Sequence, residues 1–426
     1  MSLVNDIVAK NRAGETVAIA SVCTAQPDVL SASLLLARET GRPILIEATS
    51  NQVNQFGGYT GLTPEEFIAY VQTLAKNLNV DPALVVFGGD HLGPQVWRAE
   101  PAEVAMSHAK DLMRAYVEAG FTKIHLDCSE GCAGEPAQVD DDVSATRAAA
   151  LAAVCEAYAP DASLISYVIG TEVPPPGGAR ANEVGQVITP TQPEHARHTL
   201  ERHHAAFKAE DLLDAWDRVI GLVVQPGLEF SPTHIDRFDM SSPDELSTVL
   251  SDYPNISFEA HSTDYQFDDV YPELARRHFA IHKVGPALTF ACRQALYALD
   301  GMSRWIDPNR SGSDLSNAME KLMLKKPDSW HKHYEGDETE LRLQRHFGYA
   351  DRIRYYWPEP EAQKALSDLF GALTLSAPAP LIQQYFASDI TERAKALEQA
   401  AGGWARALVW AQIQAALVPY LFGNNR

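Results

Sequence analysis

The feature that most constrains this chain is a rhythm across roughly its first 300 residues. Short apolar or β-branched runs alternate with longer segments of helical period. The runs fall at residues 17–25, 43–50, 84–91, 123–129, 164–172, 219–227, 256–262 and 280–285. Continuous apolar strands separated by helices belong in a parallel sheet covered on both faces. Eight such units predict an α/β fold of the (β/α)8 TIM-barrel type over residues 1–301. A doubly wound open sheet is the alternative, but SVCTAQP stands where G-x-G-x-x-G would open the first helix.

Punctuation supports the helices. Thr63-Pro64-Glu65-Glu66 reads as a cap followed by proline at the first helical position, and Ser242-Pro243-Asp244-Glu245 repeats the pattern. Residues 101–119 run to Gly120, a C-cap, and Asp140-Asp141-Asp142 places negative charge at a helix start. Past residue 302 helical period continues at 314–326, 361–375 and 381–421, around the aromatic and basic segment FGYADRIRYYWPEP. This predicts a C-terminal helical extension, 302–426, that covers the barrel mouth or forms a subunit interface. Within it, Arg406, Gln412, Gln414 and Pro419 interrupt the most apolar stretch, which reads as a packed helix and not a membrane span. The Pro/Gly-rich loop at 173–193 has the composition of a lid.

Charge narrows the function. Lys and Arg number 35 against 56 Asp and Glu, a formal net charge of −21. That balance argues against nucleic acid as a partner, and an anionic substrate must be held by a few local donors. The five cysteines are scattered and odd in number, which fits a reducing cytoplasm rather than a disulfide framework. MSLVNDIVAKNRAGE has no apolar core, so no signal peptide is expected.

Polar residues close the runs: Cys23, Glu47, Asp90-His91, Asp127 to Ser129, Glu172, Gln225, His261-Ser262 and Lys283. In a barrel these ends converge on one mouth, where active sites lie. In GGDHLGP, His91 suits a divalent metal beside Asp90 as acid/base, with glycines that let backbone approach a ligand. In EAHSTD, His261 supplies a second imidazole; Glu172 or Gln225 could complete a mixed shell. Zinc is the first expectation, with manganese or magnesium if oxygen ligands dominate. Lys283-Val284-Gly285-Pro286 opens a helix whose free N–H groups, with Lys283, would bind phosphate; Ser262 could donate to it as well. His203-His204 and His331/His333 read as solvated. There is no G-x-x-x-x-G-K-[ST] and no G-x-S-x-G, so P-loop kinase and serine hydrolase chemistry lack their motifs.

Six segments resemble one family: EATSNQVNQFGGYTGLTPEEF (47–67), GGDHLGP (88–94), AGFTKIHLDCSEGCAG (119–134), EAHSTDYQ (259–266), HKVGPALTFACRQALYAL (282–299) and DRIRYYWP (351–358). These are similar to the GatZ/KbaZ family, described as non-catalytic subunits of D-tagatose-1,6-bisphosphate aldolase. Some members support a class II aldolase subunit, others are described as D-tagatose 6-phosphate 4-epimerases, and some carry a tagatose 6-phosphate kinase name. The resemblance implies a class II aldolase-like barrel acting on a phosphorylated ketose. It places His91 and His261 on a divalent metal with Glu172 as third ligand. Asp90, with Asp127 or Glu172, would serve as acid/base on two faces. Glu47, Ser129, Gln225, Ser262, Lys283 and Gly285 remain for substrate and phosphate. A class II aldolase catalytic subunit, or further copies of the chain, are the protein partners it implies.

Overall fold

The computed structural model describes residues 2–170, 188–307 and 314–422. Eight parallel strands close into a barrel: β1 (Ile19–Cys23), β2 (Ile44–Thr49), β3 (Val85–Leu92), β4 (Lys123–Leu126), β5 (Ser166–Ile169), β6 (Val219–Val223), β9 (Ser257–Ala260) and β10 (Phe279–Val284). They follow chain order around the barrel, and β10 pairs with β1 to close it. Each apolar run overlaps one of them; β3 runs one residue past its run, to Leu92, and β10 begins one residue before its run, at Phe279. An unexpected antiparallel ribbon, β7 (Glu229–Phe230) and β8 (Ile235–Asp236), follows β6.

The helix signals act as read, with one exception. Thr63 caps the helix Pro64–Asn77 in a reciprocal box with Glu66, and Gly120 ends Ala102–Ala119 in the left-handed conformation. Asp140 caps Asp141–Tyr158. Ser242-Pro243 opens no α-helix; a 3-10 turn, Leu246–Asp252, follows instead. The reason is local competition: Ser242 Oγ donates to Asp239 O, and Asp244 accepts from Ser247. His203 is buried, not solvated, with Nδ1 2.9 Å from Thr199 O.

The barrel has three tiers. At the bottom, Val4 and Val8 of the helix Leu3–Arg12 pack on Ile19, Leu45, Val168, Ile220 and Ile281. Burying each such side chain stabilises by about 1.5–3 kcal/mol, so this helix plugs the barrel. The middle tier is ionic: Glu47, Lys123, Glu259 and Lys283 are all buried there. The top tier is the mouth.

The helical C-terminal region is packed onto the barrel's helices. Pro286–Ile306 follows β10 and runs through residue 301, so the expected boundary falls inside a helix. Trp404–Leu417 lies against it and against Pro27–Thr40, where Trp410 Nε1 donates to Asp28 (2.8 Å) and Gln414 Nε2 to Ala32 O (2.9 Å). No helix among the described residues is long and apolar enough to cross a membrane. A 3-10 turn, Arg352–Tyr356, swings over the mouth. Asp351, at φ +43°, accepts from Arg293 Nε at 2.7 Å, and Tyr265 Oη donates to Tyr349 O at 2.6 Å. These ties fix the turn to the barrel.

Candidate active site at the barrel mouth

The chemistry begins in the ionic tier. Lys123 Nζ lies 2.7 Å from Glu47 Oε1 and 2.7 Å from Glu259 Oε2. Lys283 Nζ lies 2.6 Å from Glu47 Oε2 and pairs with Asp90 Oδ1. Burial alone would lower both lysines; Glu259 and Glu47 for Lys123, and Asp90 and Glu47 for Lys283, outweigh it and raise them. Both ammonium groups therefore stay charged. Asp90 is the mirror case: burial would raise it, but His91, Lys283 and the hydrogen bond with His125 hold it well below the ordinary range.

Above this web stand three imidazoles. The ring centroids of His91, His125 and His261 lie 5.1, 4.9 and 5.4 Å apart pairwise. His91 and His261 are each oriented through one nitrogen, whereas His125 is held through both, with Nδ1 3.0 Å from Asp90 Oδ1. His91 Nδ1 sits 2.6 Å from Asp127 Oδ2, His261 Nε2 2.8 Å from Glu259 Oε1, and His125 Nε2 2.9 Å from Gly170 O. Among the described residues, His91 Nε2 and His261 Nδ1 keep no hydrogen-bond partner. A carboxylate behind a histidine, fixing its ring and presenting the other nitrogen, is how proteins prepare a metal ligand. Burial, reinforced by Lys283, lowers His261 to about 3, so its ring is neutral and able to donate a lone pair. Asp90, His125, Glu259 and His261 each offer a ligand atom within 4.8 Å of the others; His91 borders that group without being part of it. The donor set therefore fits a divalent cation.

The glycines of GGDHLGP serve packing. A Cβ on Gly88 would lie 2.6 Å from Glu47 Oε1, and one on Gly93 only 1.7 Å from Asp127 O. Gly88 lets the Glu47 carboxylate come close, and Gly93 makes room for the Asp127 backbone. His91 and Ser262 hold φ of +45° and +52°, left-handed strain concentrated at the mouth.

A cavity of about 560 Å³ opens above the imidazoles. Its lower wall includes Cys23, Asp90, His91, His261, Ser262 and Lys283; its upper wall includes Arg352, Arg354 and Tyr355. Burial would raise the Tyr355 phenol, but Arg354 and Arg352 outweigh it and lower it. Tyr59 stacks edge-on against Tyr355 at 5.0 Å.

A family model described as D-tagatose-1,6-bisphosphate aldolase subunit GatZ/KbaZ-like matches residues 4–425. The chain belongs to the GatZ/KbaZ-like family. It is 48% identical over 387 residues to a D-tagatose 6-phosphate 4-epimerase of Agrobacterium fabrum (strain C58 / ATCC 33970), covering 90% of this chain and 91% of that one. A crystal structure of "a probable tagatose 6 phosphate kinase from Sinorhizobium meliloti 1021" superposes with TM-score 0.85 at 42% identity, over 95% of this chain and 99% of that chain.

Asp90, His91, His261, Ser262, Lys283 and Gly285 meet at the cavity. Asp127 lies behind His91, with Ser129 Oγ 3.3 Å from its Oδ1. Glu47 sits in the ionic tier. Gln225 caps its own loop, accepting from the N–H groups of Gly227 (2.9 Å) and Leu228 (3.0 Å). Glu172, and most of the loop read as a lid, lie outside the described residues. The helix start at Pro286, read as a phosphate site, holds an internal anion: Asp264 Oδ1 accepts from Gly285 N–H at 3.1 Å and Ala287 N–H at 2.7 Å. Sequence reasoning does not single out Lys123 or His125, and it gives Glu259, on the face of His261, no role. Strand alternation could have found the first two, because Lys123, His125 and Asp127 repeat every second residue onto one face. Arg352, Arg354 and Tyr355 stand in the aromatic and basic segment DRIRYYWP, but nothing local tied that segment to the barrel mouth, which they reach through the extension.

Proposed function

We propose that this GatZ/KbaZ-like chain is a metal-dependent 4-epimerase of D-tagatose 6-phosphate. One observation carries the reading: His91 and His261, each held by a buried carboxylate, present a second nitrogen beside ionised Asp90. The 48%-identical epimerase of Agrobacterium fabrum supports the choice of substrate.

His91 and His261 would hold the ion, with His125, Glu259 or Asp90 as further donors; the imidazoles favour zinc, and a larger oxygen share manganese or magnesium. Bound there, the ion supplies Lewis-acid polarisation of the C2 carbonyl. Asp90 accepts the proton of the 4-hydroxyl. The C3–C4 electron pair moves into the C1–C3 fragment, an enediolate, and C4 becomes an aldehyde. Protonated Lys283, beside Asp90, offsets the charge that develops. The aldehyde turns its other face, the C3–C4 bond re-forms, and O4 regains its proton, giving D-fructose 6-phosphate. Asp127 orients His91 in this scheme and does not itself meet substrate. Phosphorylated sugars are kept inside cells by their charge, which supports the cytoplasmic location.

NMR of D-tagatose 6-phosphate with the purified chain tests this. Chelator-sensitive appearance of D-fructose 6-phosphate is expected; no turnover with zinc or manganese restored would refute it. The family's description as an aldolase subunit supports a second reading, in which the chain binds and sustains a class II aldolase. Activity that appears only when such a partner is added would favour that reading.

A further inference from the structure

The substrate proposed above is a dianion, and the chain carries a net charge of −21. Local cations must overcome that field. The Lys and Arg side chains lining the cavity are Arg98, Lys283, Arg352 and Arg354. Lys283 is engaged with Glu47 and Asp90, and Arg98 with Glu130. Asp264 fills the nearest helix start.

Arg352 and Arg354 are different. Among the described residues neither pairs with a carboxylate. Their hydrogen bonds go to neutral groups: Arg352 Nε to Ser329 O, Arg354 Nη1 to Ala350 O, and Arg354 Nη2 to Tyr355 Oη at 2.9 Å. Arg352 keeps its Nη1 and Nη2 without a partner there. Both guanidinium carbons lie over the Tyr355 ring, at 4.9 and 4.5 Å from its centre. Arg352 is only 8% exposed. Burial, with the Arg354 charge beside it, pulls Arg352 below the ordinary arginine range. Burial would lower Arg354 as well, but Tyr355, Tyr59 and Asp351 outweigh it and hold it up instead. Two like charges set side by side in a wall, with no carboxylate bonded to either among the described residues, are eased when an anion joins them. Forked guanidinium donors match the oxygens of a phosphate.

We propose that Arg352 and Arg354 form the phosphate clamp of this active site, holding the C6 phosphate of the ketose from the C-terminal turn. The sugar's identity rests on the epimerase reading; the anion chemistry rests on these residues. The clamp also gives the extension a role in the reaction. Breaking C3–C4 leaves the phosphate on the aldehyde half. The arginines keep that half in place while C4 turns its other face, so it recombines instead of escaping.

The test uses the full chain with its metal. Arg354→Gln should raise KM for D-tagatose 6-phosphate by about ten- to a hundredfold and weaken binding of inorganic phosphate, measured by calorimetry, to a similar degree. Released glyceraldehyde 3-phosphate per turnover should rise, and KM for unphosphorylated D-tagatose should not change. Arg352→Lys keeps the charge and the fold, checked by circular dichroism, and should show a smaller shift in the same direction. If both variants keep KM and phosphate affinity within about twofold of the parent, the clamp is wrong while the epimerase reading stands. A parent chain that binds no inorganic phosphate overturns it as well. If the parent binds phosphate, Arg354→Gln loses it, and neither turns substrate over, the clamp stands and the epimerase reading falls.

Discussion

Lys123→Met tests the ionic tier most directly. Lys123 is 1% exposed and is shared between Glu47 and Glu259, each 2.7 Å from its nitrogen. Removing it leaves two buried carboxylates with Lys283 as the nearest cation, and Lys283 lies 3.8 Å from Glu259. Breaking one buried pair from one side costs about 3–5 kcal/mol, because the remaining charge has lost its solvation and its partner. At about 2.1 cal/mol/K per residue, the 426 residues give an unfolding entropy near 0.9 kcal/mol/K. The predicted fall in Tm at pH 7 is therefore about 3–6 °C. The folded lysine pKa is raised, so its contribution is fully present at neutral pH and would fade only as pH rises through that raised value. Lys123→Met with Glu259→Gln removes charge from both sides and should recover most of the loss. Differential scanning calorimetry on parent, single and double variants reads the series. A single variant within about 1 °C of the parent, or a double variant as unstable as the single, would refute the view that these charges depend on each other.

Other consequences follow from the same geometry. Asp127→Asn should weaken metal retention by about 10- to 100-fold, measured against a competing chelator, because His91 loses the carboxylate that orients it. Asp90→Asn should lower kcat by at least about a hundredfold while the chain still binds metal; unchanged kcat would remove Asp90 from proton transfer. Burial raises Glu229 to about 8, so the folded chain holds a proton that the unfolded chain has released. Its contribution is full below the ordinary carboxylate range and lost as pH rises to about 8, and Glu229→Gln should flatten that part of the Tm–pH curve. Gly93→Ala would place a Cβ 1.7 Å from Asp127 O; displaced backbone should loosen His91, seen as lost metal affinity with a folded far-ultraviolet spectrum.

Reading this chain from sequence works where the physics is local and stops where it is not. The strands were legible because each barrel strand is an apolar run, and buried parallel strands need no alternation to be recognised. Their polar ends were legible because a histidine or carboxylate at the close of such a run has little packing reason to be there. Partnership was not legible. Lys283 at a helix start looked like a phosphate donor, yet Glu47 and Asp90, far away in sequence, take up its charge across the barrel. Gly285 looked like an open anion site, yet Asp264, 21 residues earlier, already accepts from it. Lys123 opens an otherwise apolar run and carries no local sign of burial, because the energy that tolerates it comes from two other strands. Arg352 and Arg354 show the same limit more strongly. On their own they are two basic residues in an aromatic segment. They acquire meaning only because Asp351 is tied to Arg293 and Tyr349 to Tyr265, which carries the turn over the barrel mouth. In so acidic a chain, most buried cations are consumed by neighbouring carboxylates. A basic pair that folding leaves without one, facing the cavity, is therefore the stronger sign of where an anionic ligand goes.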